Sequence, residues 1–309
     1  MHEYTDGFCG NHGTASKQHA RSAVVNSTIH LGTEPKPLRI APIVIKLGGA
    51  LLDDPSANAS FFVALAQFIQ NNQNVVLVHG GGKPVDRHLE LLGFKSEKRD
   101  GIRITPAEHM QEIAGVLAGQ MNARLVGLLQ SRGVNAVGLT LADGATTTAR
   151  KTQKFGFDAG RVGEITGGDS FLIQTLLRNG CTPIFSSIGM DSAGELLNIN
   201  ADEAAAAIAR LVSARQLVLL TDVAGVKDND GNIISSLDRA GVERLTQSGV
   251  ITGGMIAKVR GALEASEQAG VATLVAGWND ANVLQTLNNA GSENFSGTLF
   301  LPLQQACNS

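Results

Sequence analysis

Two lysines and two glycine clusters carry the chemistry that can be read from this chain. Lys46 ends the run Ile43-Val44-Ile45 and is followed by Leu47, Gly48 and Gly49. A lysine at the end of a buried strand is costly unless an anion meets it. The second cluster, Gly80-Gly81-Gly82, follows Val75-Val76-Leu77-Val78-His79. Lacking side chains, glycines let backbone N–H groups approach a phosphate and form an anion-holding nest. Lys258 closes Gly253-Gly254-Met255-Ile256-Ala257-Lys258, one turn inside a helix that starts at glycine. Phosphoryl transfer is catalysed mainly by positioning and charge neutralisation, which two fixed cations and two nests would supply. Taken singly, a glycine triplet is also a plain turn and a helical lysine is usually solvated. The repetition of strand then glycines favours the phosphate reading. Neither cluster matches GxxxxGK[ST] or GxGxxG, which sets aside a Walker P-loop and a dinucleotide fingerprint.

Further polar residues surround these. Asn198-Ile199-Asn200-Ala201-Asp202 opens an alanine-rich helix. Asn200 is either a helix cap or a ligand for substrate, and Asp202 either complements the helix dipole or orients the two lysines. Asp222 directly follows the apolar run Gln216–Thr221, beyond a strand's carboxyl end, where α/β sheets bind ligands. Arg103 is either a solvated surface arginine or a bidentate clamp for a carboxylate.

The elements that would hold these residues alternate. Strands are expected at 43–45, running into Lys46, and at 75–79, 134–139, 182–188, 216–221, 271–276 and 297–301. Helices are expected at 58–71, 83–92, 105–132 with a break near Gly119, 170–178, 201–212, 238–248, 254–269 and 280–290. Such alternation predicts βαβ units and an α/β fold with a mainly parallel sheet. Thr105-Pro106-Ala107-Glu108 reads as a capping box and Asp169 as a helix cap. Residues 93–104, around Asp100-Gly101, read as a hairpin, Asp191–Gly194 as a turn, and 140–168 as an excursion over the sheet.

The chain has 309 residues, 43% of them hydrophobic and 17% charged, ordinary for a single α/β catalytic unit. Glycine outnumbers proline 36 to 8, which suits tight strand-to-helix turns. A net charge of −3 argues against a nucleic-acid or anionic-membrane surface. Cys9, Cys181 and Cys307 suggest neither a disulfide framework nor a zinc site. No apolar run approaches the ~18 residues of a membrane span, and the start lacks the apolar core of a signal peptide. A cytoplasmic protein is expected. Residues 1–41 hold His2, His12, His19 and His30 without metal-ligand spacing, and read as a disordered or variable N-terminal extension with at most a weak helix over Ser16–Val25.

In order, IKLGG, VHGGG, GIRIT, SSIG, NINAD, LLTDVAGV and GGMIAK resemble the amino acid kinase family over about residues 42–302. NINAD, GGMIAK and the GIRIT arginine resemble most its branch acting on N-acetyl-L-glutamate. The resemblance implies a three-layer αβα sandwich around an open, mainly parallel sheet, spanning residues 42–303. An N-terminal lobe to about 190 would bind the acyl amino acid and form a homodimer; a C-terminal lobe over 191–303 would bind ATP. Lys46 and Lys258 would stabilise the transferring phosphoryl group, with Asp202 holding both. Gly48, Gly49, Gly82 and Asp222 would serve ATP; Gly81, Gly82, Arg103, Asn198 and Asn200 would serve N-acetyl-L-glutamate. Magnesium would arrive on ATP, so no protein metal site is expected. Arginine-inhibited members carry an N-terminal helix that links dimers into hexamers; residues 1–41 lack a clear amphipathic stripe, which leaves the hexamer and arginine control open. Lys83 and Ala257 depart from the family's pattern. The rival readings are a sister kinase for another acyl amino acid, such as an aminoadipate derivative, and a catalytically silent sensor of amino acid or nucleotide.

Overall fold

The computed structural model describes residues 38–303 except 39, 55–56, 73, 100, 281–282 and 288–295. The readings for residues 1–37, and those resting on Cys9, Cys307 and Asp100, lie outside the described residues. In chain order the elements begin β1 (Ile43–Leu47), α1 (Gly49–Asp53), α2 (Ala59–Asn71), β2 (Val75–His79), α3 (Gly82–Leu91), β3 (Glu97–Arg99), β4 (Ile102–Ile104) and α4 (Ala107–Ala114). A π-helix over Gly115–Met121 leads into α5 (Asn122–Gln130), β5 (Ala136–Thr140), β6 (Thr147–Lys151), β7 (Val162–Gly168), α6 (Phe171–Arg178), β8 (Thr182–Ser186), β9 (Ile188–Met190) and β10 (Leu196–Ile199). Then come α7 (Ala201–Leu211), β11 (Gln216–Thr221), β12 (Ser236–Leu237), α8 (Arg239–Gln247), α9 (Gly254–Ala269), β13 (Thr273–Gly277), α10 (Val283–Thr286) and β14 (Thr298–Phe300).

The central sheet has the order β12-β14-β13-β11-β1-β2-β8-β5. Strands β13 to β5 run parallel, and β14 turns against β13. Strand β2 is buried throughout, and β1 everywhere but at Lys46, because helices cover both faces of the sheet. On one face Ile43, Ile45 and Leu77 pack with α2, α4 and the π-helix through Phe62, Ile113 and Leu117. On the other, Val44, Val76 and Phe185 pack with α6, α7 and α9 through Ile173, Ala205 and Leu263. These layers make the αβα sandwich that the resemblance implied. The excursion over 140–168 is a β6–β7 hairpin in a second sheet, ordered β6-β7-β10-β9.

Three readings need correction. The strand expected at 182–188 breaks at Ser187, whose N–H donates to His79 O at 3.1 Å, and β9 and β10 then flank the Asp191–Gly194 turn. The Thr105 capping box does not form. Thr105 is fully buried, its N–H donates to Ala159 O at 3.0 Å and its hydroxyl donates to Arg103 O, so the side chain is not available to α4. The break expected near Gly119 is a whole π-helical segment within a continuous helical run. Among the described residues no helix is long and apolar enough to cross a membrane.

Candidate active site

Strands β1 and β2 are adjacent and in parallel register, with Leu47 opposite His79, so both glycine turns leave the same end of the sheet. An ideal Cβ on Gly49 would stand 3.4 Å from Gly82 N, which sets the two turns against each other. Gly48 is buried, and a Cβ there would lie 2.8 Å from Leu220 O on the neighbouring β11. Gly81 is pressed against the π-helix: a Cβ would run into Met121 Sδ and stand 2.8 Å from Leu117 Cδ2. At Gly82, the first residue of α3, a Cβ would meet nothing within 4 Å among the described residues. The turn therefore has a packed side and an open side. The open side carries the N-terminus of α3, whose unpaired N–H groups and dipole favour anions.

Lys46 Nζ lies 3.0 Å from Asp202 Oδ1 in the first turn of α7. That oxygen is buried and has no hydrogen bond of regular geometry, so the contact is an ion pair only. Lys258 takes a different partner, with Nζ 2.8 Å from Asp222 Oδ1. The hydrogen bond from Lys258 holds the Asp222 carboxyl below its ordinary range, with help from Thr221 Oγ1. Lys46, Lys258 and Asp202 nevertheless line one cavity of about 70 Å³, whose other walls include Val226, Met255 and Phe300.

A second cavity, of about 230 Å³, shares Lys46 and Asp202 with the first. Gly49, Gly81, Gly82, Arg103, Asn198 and Asn200 also line it. Asn200 is the N-cap of α7, accepting from Asp202 N at 2.8 Å and Glu203 N at 3.2 Å, yet it still borders the cavity. Asn198 Nδ2 donates to Thr105 Oγ1 at 3.1 Å, tying β10 to the start of α4. Arg103 is no solvated arginine: its side chain is 9% exposed, and Nη2 donates to Gly82 O at 2.9 Å. Thr152, Lys154 and Phe155 of the excursion line a hollow of about 720 Å³ together with Asn200, Asp202 and Lys258. A hollow of about 920 Å³ touches Val75 and Thr182, at the opposite ends of the strands, far from this chemistry. Ligand binding in α/β sheets at the carboxyl ends of strands favours the smaller, charged cavities.

Of the sequence-derived candidates, only Gly48 and Asp222 line none of the cavities around Lys46. Lys83 turns aside, its Nζ 3.7 Å from Asp53 Oδ2 and its side chain 74% exposed. Ser187, Val85, Ile113 and Leu117 also line the second cavity and escaped notice. The SSIG motif pointed near Ser187; the apolar three carry no signal beyond helical periodicity.

A profile described as the Amino acid kinase family matches residues 41–277. An acetylglutamate kinase of Vibrio cholerae serotype O1 is 44% identical over 266 residues, 86% of this chain and 99% of that protein. One from Vibrio vulnificus is 44% identical over 262 residues, 84% of this chain and 97% of its own. Among solved structures, the N-acetylglutamate synthase of Neisseria gonorrhoeae has a TM-score of 0.72 at 23% identity, covering 86% of this chain and 60% of that one. That last likeness concerns the fold alone. With most of its length matched by the profile and by relatives at this identity, the chain belongs to the amino acid kinase family.

Proposed function

We propose that this chain transfers the γ-phosphoryl group of ATP to the γ-carboxylate of N-acetyl-L-glutamate, giving N-acetyl-L-glutamyl 5-phosphate, the kinase step of arginine biosynthesis. The observation that carries the reading is the ion pair of Lys46 and Asp202 at the seam of two cavities. One cavity is lined by apolar side chains and Lys258, the other by glycine turns, Arg103 and asparagines. Kinship with acetylglutamate kinases over nearly their whole length supports the substrate.

In this reading the nucleotide lies toward Val226, Met255 and Phe300, with Asp222 beside it and its phosphates over Gly48, Gly49 and Gly82. Arg103 takes the α-carboxylate of the acyl amino acid, and Gly81, Asn198 and Asn200 border the rest. The attacking γ-carboxylate has a reference pKa of about 4.3 and is already ionised at pH 7, so no general base is needed. Lys46 and Lys258 neutralise the charge on the transferring group, and Asp202 keeps Lys46 aimed. Asp202 and Asp222 are each paired with a lysine, which fits Mg²⁺ arriving on the phosphate oxygens of ATP rather than in a protein cage. We also read residues up to about 190 as the acyl amino acid lobe and the remainder as the nucleotide lobe of a cytoplasmic homodimer.

The test is hydroxamate trapping of the acyl phosphate from MgATP and N-acetyl-L-glutamate, with Lys258→Ala as control. Turnover that collapses in the variant supports reaction and site together. Turnover only with free glutamate, aspartate or an aminoadipate derivative moves the chain to a sister branch, and no transfer to any acceptor overturns the reading.

A further inference from the structure

Asp86, on α3, belongs to no motif, yet it gathers three donors from the β3–β4 hairpin region. Lys98 Nζ lies 2.6 Å from Asp86 Oδ2 and Ser96 Oγ donates to Oδ1 at 2.7 Å. Arg103 Nη1 donates to the same Oδ1 and to Ser96 Oγ. Burial would raise this carboxyl, but the hydrogen bonds from Arg103, Lys98 and Ser96 outweigh it and bring it down to about 2. The negative charge is therefore present throughout the working pH range. Strands β3 and β4 form a separate two-stranded sheet, and among the described residues no ladder joins them to the main sheet. Side chains seat the hairpin instead: the Asp86 cluster on α3, and Arg99 stacked 4.5 Å over the Phe157 ring.

We propose that Asp86 is the positioning residue for the carboxylate-binding site of Arg103, which rests on the reading that Arg103 takes the α-carboxylate of the acyl amino acid. Arg103 has five N–H donors in a rigid fork. Asp86 and Ser96 hold Nη1, and the Gly82 carbonyl holds Nη2. The guanidinium is thus fixed before ligand arrives, with its remaining donors left for a carboxylate in the cavity that Arg103 lines. Without the Asp86 charge the fork loses its anchor, and ordering it becomes a cost of binding. The α-carboxylate stays unchanged during phosphoryl transfer, so this interaction is equal in ground and transition states. Its loss raises KM and spares kcat.

Steady-state kinetics of the full chain with MgATP and N-acetyl-L-glutamate, comparing wild type, Asp86→Asn and Asp86→Glu, tests this. Asp86→Asn is expected to raise KM for N-acetyl-L-glutamate about tenfold while kcat and KM for ATP stay within about twofold, and Asp86→Glu to recover part of the loss. An unchanged KM in Asp86→Asn, or equal losses in kcat and ATP affinity, overturns the role of Asp86. If Asp86→Asn does not fold, Asp86→Glu, which keeps the charge but moves it one methylene away from Arg103, carries the same test, with a smaller rise in the same KM expected and no rise overturning the proposal. A wild-type chain inert toward N-acetyl-L-glutamate overturns instead the reading of the site on which the proposal rests.

Discussion

Lys46 Nζ and Asp202 Oδ1, 3.0 Å apart, join the end of the central strand β1 to the first turn of α7. The lysine side chain is 16% exposed, so its charge is held in a partly dry setting where direction matters. The carboxylate is also favoured by the N-terminal dipole of α7. Asp202→Asn keeps the backbone N–H that Asn200 caps but leaves Lys46 without a counter-charge. Activity is expected to fall about 10²-fold in kcat, with Lys46→Ala falling at least as far, as for loss of one transition-state donor. Circular dichroism should show the fold retained. A kcat within about threefold of wild type in both variants would remove the pair from the mechanism.

The second lysine is held more loosely. Lys258 and Asp222 are 46% and 60% exposed, and such a pair contributes at most about 1 kcal/mol. Lys258 can therefore leave Asp222 for a phosphate at little cost. Asp222→Ala is expected to shift Tm by less than about 2 °C, while Lys258→Ala collapses kcat with similarly little effect on Tm. A loss of Tm above about 5 °C in Asp222→Ala would show the pair to be structural.

The legible parts of this molecule are those decided locally. β1 and β2 stand out because burial on both faces demands an unbroken apolar run, and Asn200 announces α7 because an asparagine side chain suits the N-cap. The two glycine turns follow from the same runs. What stayed hidden depends on partners distant in sequence. Thr105 looks like a cap until the bridge to Gly160 takes its backbone and Asn198 its hydroxyl. Asp86 looks like any charge on an exposed helix until the hairpin folds back onto it. The π-helix differs from an α-helix only in hydrogen-bond register, which the packing of Met121 and Leu117 on Gly81 accompanies but composition does not encode.

The two sides of the glycine turns give opposite expectations for the same substitution. A methyl group at Gly48 would meet the backbone oxygen of Leu220 at 2.8 Å, in the middle of the sheet where nothing can give way. Gly48→Ala should cost about 1–3 kcal/mol of stability. At Gly82 the methyl meets nothing, and alanine in the first turn of a helix is neutral or slightly stabilising. Gly82→Ala should keep or raise Tm yet raise KM for ATP, because the methyl stands where phosphate approaches. Chemical denaturation and ATP-dependent kinetics of both variants separate the cases. Equal stability loss in the two would contradict the open side of the turn.

His79 sets a limit on acid stability. Its ring ends β2 in the buried core, with Nδ1 3.2 Å from Gly80 O and Nε2 buried without a hydrogen bond. Burial lowers its pKa to about 4 from the ordinary 6.5. Between those values the unfolded chain binds a proton at this position and the folded chain does not, so stability rises with pH across the window. Acidification from pH 7 to 4 should therefore cost about 3 kcal/mol through this residue alone. His79→Gln, which cannot charge, should lose that slope while starting from a lower stability at pH 7. Guanidinium denaturation of both proteins at pH 7, 5.5 and 4.5 measures the difference. Parallel stability curves would mean that the ring is already accessible to protons in the folded state, and that the strand-to-glycine turn is looser than its burial indicates.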